Sequence, residues 1–129
     1  MDEIKKILTE SKTIAVVGLS PREDRPSYRV ASYLKSKGYR IIPVNPNAQE
    51  ILGEKSYPDL RSIPENIDIV DIFRKSEDVP PVVDEAIQAG AKAVWMQEDI
   101  VNEPAAQKAR SAGLLVVMDR CMLKEHRKL

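Results

Sequence analysis

Residues 14–46 read IAVVGLSPREDRPSYRVASYLKSKGYRIIPVNP, a pattern that predicts a strand, a glycine-turned loop, a helix and a second strand. The first run is apolar and rich in β-branched residues, as expected of a parallel strand that is covered on both faces. Residues 26–37 begin with a proline and are followed by Gly38, which is typical of a helix with a left-handed cap. A helix that begins behind such a loop directs free N–H groups at it, so the loop is predicted to bind an anion.

The rest of the chain continues this alternation of strands and helices. A short amphipathic helix is expected at 2–10, an irregular connector with one short helical turn at 47–66, strands at 67–73, 93–97 and 114–118, and helices from 79 and from 103. Repeated strand–helix–strand units with short loops require right-handed crossovers. They predict one α/β domain over residues 1–129, a Rossmann-like doubly wound fold with a five-stranded parallel sheet, helices on both faces and strand order 3-2-1-4-5.

Composition restricts the partners of this domain. Twenty basic residues balance twenty acidic ones, so no overall field favours nucleic acid or an anionic membrane. No apolar run approaches the roughly 18 residues that span a bilayer. A single cysteine, Cys121, excludes an intrachain disulfide and suits a reducing compartment. We therefore expect a soluble, cytoplasmic protein with neither nucleic acid nor membrane as a partner.

The loops at the carboxyl ends of the predicted strands should meet at one edge of the sheet, where such folds bind ligands. These loops are residues 18–27, 43–47, 73–81, 97–101 and 119–123. The first contains the glycine, hydroxyl and guanidinium groups that can grip a pyrophosphate: Gly18, Ser20, Arg22, Arg25 and Ser27. The alternative interpretation is a charged loop that only contacts water.

A nicotinamide enzyme is the usual interpretation of such a sheet, but two features disagree with it. The loop lacks Gly-x-Gly-x-x-Gly, and the second strand ends in Asn45-Pro46 where an acidic residue would bind a ribose diol. A neutral Asn45 tolerates a phosphorylated ribose, which both NADP and coenzyme A (CoA) carry.

Several stretches together resemble a known family. They are Gly18-Leu19-Ser20 with RPSY at 25–28, GYRIIPVNP at 38–46, VDIFR at 70–74, VWMQ at 94–97 and VMDRC at 117–121. Over nearly the whole chain the sequence resembles the small stand-alone CoA-binding proteins. It is similar in the same way to the N-terminal CoA-binding domain of the succinyl-CoA synthetase alpha subunit.

The resemblance implies where CoA would lie. Its phosphates would cover residues 18–27, with Tyr28 in the matching stretch. The adenosine end would pack near Pro43, Val44, Asn45 and Pro46, and Phe73, Arg74 and Val79 would line the groove. The residues themselves suit this placement, because Phe73 offers an apolar face and Arg74 can pair with phosphate. Alternatively, Phe73 only completes a core strand and Pro43 only ends one.

Other polar residues near the same edge have two interpretations each. Gln97, at the end of the fourth strand, is a candidate for an amide contact with the ligand. Cys121 is either a thiol that meets the thiol end of CoA, in a mixed disulfide or an exchange reaction, or a small buried side chain. For Asp71 and Asp119 we prefer structural roles to acid–base or magnesium chemistry, and we interpret His126 as a solvated tail residue.

The leading hypothesis is a protein that binds CoA, an acyl-CoA or CoA disulfide without catalysis of its own. The synthetases need a phosphorylated histidine in a separate domain, which does not fit here, and we assign no catalytic or metal-binding residue. One alternative is an NADP-dependent or other nucleotide-dependent enzyme that uses the same groove. Another is a regulatory or adaptor subunit of a CoA ligase, and the protein could also form a homo-oligomer.

Overall fold

A five-stranded parallel sheet forms the centre of the computed structural model, which describes residues 2–129. In chain order the elements are α1 (Glu3–Glu10), β1 (Thr13–Val17), α2 (Pro26–Ser36), β2 (Arg40–Val44), β3 (Glu50–Ile51), β4 (Glu54–Lys55), β5 (Ile69–Ile72), α3 (Val79–Gln88), β6 (Ala93–Met96), α4 (Glu103–Ser111), β7 (Leu115–Val117) and α5 (Met122–Arg127). The predicted helical turn in the connector is the 3-10 turn Leu60–Ser62, beside the small β3–β4 hairpin.

Apolar layers cover both faces of the sheet. One layer joins the sheet to α3 and α4, and the other joins it to α1, α2 and α5. The predicted Rossmann-like α/β class, with five parallel strands and helices on both faces, is therefore confirmed. Within residues 2–129 the helices are all too short or too polar to cross a membrane.

The predicted strand order is wrong in one respect. The sheet runs β2-β1-β5-β6-β7, which is 2-1-3-4-5 when its strands are numbered along the chain, instead of 3-2-1-4-5. The reason lies in Pro43. The carbonyl of Val44 accepts from Gly18 on the β1 side, whereas the carbonyl of Pro43 accepts from Tyr57 on the outer side. The N–H that proline lacks would therefore face outward, which suits an edge strand, and β5 pairs with the other side of β1.

Like the β3–β4 hairpin, the C-terminal helix α5 was not predicted from the sequence. Its residue His126 is half-buried, with Nδ1 2.8 Å from the hydroxyl oxygen of Tyr33 and its ring edge-on to those of Tyr33 and Tyr39. Burial, and in second place the charge of Lys37, lowers the pKa of this imidazole. The interpretation of His126 as a solvated tail residue is therefore wrong.

A carboxyl group lies inside the sheet. Asp71, in the central strand β5, is fully buried, and its Oδ1 accepts a 2.6 Å hydrogen bond from Nε2 of Gln97. Among the described residues its Oδ2 has no hydrogen-bond partner. Burial raises the pKa of Asp71 to about 7, although the bond from Gln97 opposes that shift.

We expect Asp71→Asn to gain stability relative to the wild type as the pH rises. The folded pKa lies above the unfolded value, so below about pH 4 the carboxyl is neutral in both states and imposes no penalty. Between about pH 4 and the folded pKa, the wild type should lose roughly 1.4 kcal/mol per pH unit relative to the variant. Urea unfolding across this range measures the difference, and any pH effect common to both proteins cancels.

Glu23→Gln is the matched control, because Glu23 is exposed, lies outside every helix and makes no side-chain hydrogen bond or ion pair to residues 2–129. Its stability should follow the wild type at every pH. Parallel curves for Asp71→Asn and the wild type would contradict a neutral buried carboxyl.

Candidate functional site

Gly18 lies at the carboxyl edge of the sheet, where β1 turns into the loop, and we call the backbone at this point the crest. Its φ of +87° is in the left-handed region. A Cβ at this position would overlap the carbonyl oxygen of Phe73 and would lie 2.7 Å from Nη1 of Arg74. Glycine is therefore required here both by the backbone conformation and by the close approach of Phe73, which follows the neighbouring strand β5.

The first turn of α2 faces this crest with free donors. The N–H groups of Ser27 and Tyr28 lie in the first turn, where a helix offers no acceptor of its own, and no side chain of the described residues caps this helix. The hydroxyl oxygen of Ser27 accepts from the N–H of Ser20 at 3.0 Å, and the hydroxyl oxygen of Ser20 accepts from the N–H of Arg22 at 3.1 Å. Because both hydroxyls act as acceptors inside the loop, their protons remain available for a ligand.

A cleft of about 360 Å³ lies between the crest and the helix, lined by Gly18, Ser20, Arg25, Pro26, Ser27 and Phe73. Most of these residues were predicted from the sequence, and the structure brings them together. The two arginines of the loop differ. Arg22 forms an exposed 3.2 Å ion pair with Asp24, whereas the side chain of Arg25 makes no ion pair or hydrogen bond to residues 2–129. Arg25 is therefore the guanidinium of this loop that is free to bind an anion.

Arg74 lies on the other side of the crest. It is half-buried and, like Arg25, makes no ion pair or hydrogen bond to the described residues. It borders a second, smaller cavity of about 90 Å³, which is lined by Val17, Val44, Pro58, Asp59, Leu60, Arg74, Val82 and Glu85. The sequence did not predict the contribution of the connector and of Glu85, because residues 47–66 have no periodic pattern that places them against α3.

The predicted residues at the end of β2 and just after it hold the loop in place. Pro43 and Val44 are buried in the sheet, and Pro46 is exposed. The side chain of Asn45 donates from Nδ2 to the carbonyl of Leu19 at 3.0 Å and accepts the N–H of Asn47 at 2.8 Å. Its amide therefore ties the loop after β2 to the loop after β1.

The side chains of four other predicted residues do not line the cleft. Val79 was expected to line the groove, but it is fully buried in the apolar layer of α3. Gln97 is also buried, and its amide is occupied by Asp71 and, at 3.4 Å, by the N–H of Met122, so it is not free for a ligand. Tyr28 is half-buried against the α2 layer, and Cys121 is half-exposed at the start of α5.

Asp71 and Asp119 are the two carboxylates for which the sequence favoured structural roles over acid–base or magnesium chemistry. Both have hydrogen-bond partners in the fold. Asp71 pairs with Gln97, and Oδ1 of Asp119 accepts the N–H of Asp99 at 2.7 Å. Residues 2–129 contain no group of three or more histidine, cysteine or acidic side chains that could hold a metal ion.

Proteins of similar size match nearly the whole of this chain. The uncharacterized protein YneT of Bacillus subtilis (strain 168) is 47% identical over 124 residues, which cover 96% of this chain and 92% of that protein. A solved structure of a hypothetical protein from Pyrococcus horikoshii OT3 is similar with a TM-score of 0.95 and 45% identity, covering 98% of this chain and 89% of that chain.

A third relative is much longer. An ADP-forming acetate–CoA ligase (II) of Archaeoglobus fulgidus is 39% identical over 83 residues, which cover 63% of this chain but 12% of the ligase. The family model described as a CoA binding domain matches residues 12–127. Since that match includes nearly every element of the sheet and all of the cleft, the chain belongs to the CoA-binding domain family.

Proposed function

We propose that this protein binds CoA at the carboxyl edge, with the phosphates in the cleft between Gly18 and Ser27. The observation that carries the proposal is the set of unused donors around this cleft: the first-turn N–H groups of α2, the hydroxyls of Ser20 and Ser27, and the guanidinium of Arg25. A glycine crest leaves room for the phosphate oxygens to approach the backbone. Membership of the CoA-binding domain family supports the choice of ligand.

The smaller cavity suits the adenosine end of the same ligand. Val44, Pro58 and Val82 provide apolar walls for a base, and Arg74 stands between this cavity and the crest. Asn45, which replaces an acidic residue at the end of β2, does not repel the phosphate that CoA carries on its ribose. A reducing, cytoplasmic location fits a chain with one free cysteine.

A second candidate function is that of an adaptor subunit of a CoA ligase. It is favoured by the match to a segment of the much longer acetate–CoA ligase of Archaeoglobus fulgidus. The adaptor function predicts a stoichiometric ligase-like partner on purification, which a free-standing CoA-binding protein does not. The NADP-dependent enzyme remains a competing ligand hypothesis, and calorimetry with NADP in place of CoA tests it.

We expect Arg25→Ala to weaken CoA binding by about ten-fold, the loss of one charge-assisted hydrogen bond of ~1.4 kcal/mol. Isothermal titration calorimetry of the reduced protein measures the effect. Arg22→Ala is the control from the same loop, because Arg22 already pairs with Asp24, and its effect should be at most about two-fold. Binding of NADP without binding of CoA would refute the proposal, and equal losses in the two variants would refute the role of Arg25.

Gly18→Ala should weaken both the fold and CoA binding, because the new Cβ has to displace the carbonyl of Phe73. Gly90→Ala is the control. Gly90 also has a positive φ, of +74°, but within the described part of the chain no heavy atom lies within 4 Å of the place that an added Cβ would take. Its cost is therefore limited to backbone strain of about 1 kcal/mol. Urea unfolding should show a further ~1–3 kcal/mol for Gly18→Ala. Similar losses in the two variants would mean that the crest tolerates a side chain.

A further inference from the structure

Asp71 lies close to the cleft without lining it. Val70 and Ile72 belong to the apolar layer of α3 and α4, whereas Phe73 packs against the opposite layer of α1, α2 and α5. Because side chains alternate along a strand, Asp71 projects to the same face of the sheet as Phe73, which lines the cleft. Two residues of extended chain separate the Cα atoms of Asp71 and Phe73 by about 7 Å. The carboxyl group is therefore near enough to respond to a charge held in the cleft, since charges interact over about 10 Å even in salt solution.

Within residues 2–129, no ion pair and no second hydrogen bond compensates a negative charge on Asp71. Its side chain is fully buried, Oδ1 accepts from Nε2 of Gln97, and Oδ2 has no donor. In register beside it lie Val16 of β1 and Trp95 of β6, neither of which carries a charge. At the start of α5, the N–H of Met122 bonds to Gln97 at 3.4 Å and not to the carboxyl group. A carboxyl group in these surroundings is most stable in its neutral form.

The groups that pack on the same face do not supply the missing positive charge. Its titratable members are three phenols and one thiol, those of Tyr28, Tyr33, Tyr39 and Cys121. Burial raises the pKa of Asp71 to about 7 and the bond from Gln97 opposes the rise, and no charged side chain of α1, α2 or α5 within the described residues is among the causes. The carboxyl group therefore changes its charge close to neutral pH.

A ligand that is held by its phosphates adds negative charge to the cleft and also engages the guanidinium of Arg25. Both changes disfavour a carboxylate at Asp71 and leave a neutral carboxyl unaffected. At this range, and with an effective dielectric constant of about 20, one unit charge changes the ionisation constant by about ten-fold. By linkage, a proton on Asp71 must strengthen ligand binding by the same factor.

We propose that the cleft binds CoA together with one proton, which Asp71 takes up from the solvent. The inference rests on the proposed CoA binding. No covalent bond of CoA changes, and the proton returns to the solvent when CoA dissociates. Below neutral pH the carboxyl group is already neutral and binding is strongest. Above neutral pH it ionises in the free protein and binding weakens, so Asp71 makes the site sensitive to pH without touching the ligand.

Isothermal titration calorimetry of the full-length reduced protein with CoA, from pH 6 to pH 8.5, tests the proposal. Over this range the dissociation constant of the wild type should rise about five- to ten-fold more than that of Asp71→Asn, whose amide cannot ionise. Titration of the CoA phosphates enters both measurements equally. His126→Gln is the control, because the single histidine of the chain lies away from the cleft, beside a cavity that Lys12 and Gly38 also line. This variant should keep the pH dependence of the wild type.

A second measurement needs no variant. The 13C chemical shift of the Asp71 carboxyl carbon, followed against pH, should have its midpoint about one pH unit higher with saturating CoA than without it, the equivalent of the ten-fold coupling.

An unchanged midpoint would overturn the proton linkage while CoA binding stands. A pH dependence that persists in Asp71→Asn, or that disappears in His126→Gln, would overturn it as well. Absence of CoA binding at every pH would instead refute the proposed function on which the linkage rests.

Discussion

The close approach of the Gly18 backbone to the carbonyl of Phe73 is the constraint on which the carboxyl edge depends. At this point the N–H of Gly18 donates to the carbonyl of Val44, and the N–H of Phe73 donates to that of Val17, so that β2, β1 and β5 are joined at one crest. Because no side chain stands on the crest, the cleft in front of α2 stays open. The same absence brings the guanidinium of Arg74 to the backbone and so places a positive charge beside the cleft.

The polar side chains of the edge are used first to hold the loop. Asn45 connects the two loops that flank the crest, and Ser27 and Ser20 each accept a backbone N–H. These bonds fix the positions of the remaining donors before a ligand arrives, which reduces the entropy that binding must lose. Arg25 has no ion-pair or hydrogen-bond partner for its side chain within residues 2–129, in contrast to Arg22 in the same loop. Local bonding thus separates the residues that shape the cleft from those that can bind an anion.

Local patterns predicted most of the fold, because hydrophobic runs and their glycine and proline boundaries reflect burial directly. The strand order depended on which side of β2 the missing N–H of Pro43 faces, and the hydrophobic pattern does not contain that information. Helix α5 depended on the packing of His126 between Tyr33 and Tyr39, which its short and charged sequence does not indicate. Tertiary contacts between residues that are distant in the chain decide both features, and intrinsic propensity does not.

The residues of the candidate site also fall into those that the local sequence predicts and those that depend on tertiary structure. The residues of 18–27 were predictable because glycine, hydroxyl and arginine side chains in one loop are adjacent whatever the rest of the chain does. The positions of Val79 and Gln97 were not predictable, because the direction of each side chain depends on how its element packs in or against the sheet.

The placement of CoA is tested most directly by amide chemical shifts of the 15N-labelled, reduced protein titrated with CoA. Phosphates in the cleft should produce their largest shifts at the N–H groups of Ser27 and Tyr28, with smaller shifts at Gly18. Shifts concentrated at the opposite edge of the sheet, around Gly38, with those amides unmoved, would contradict it.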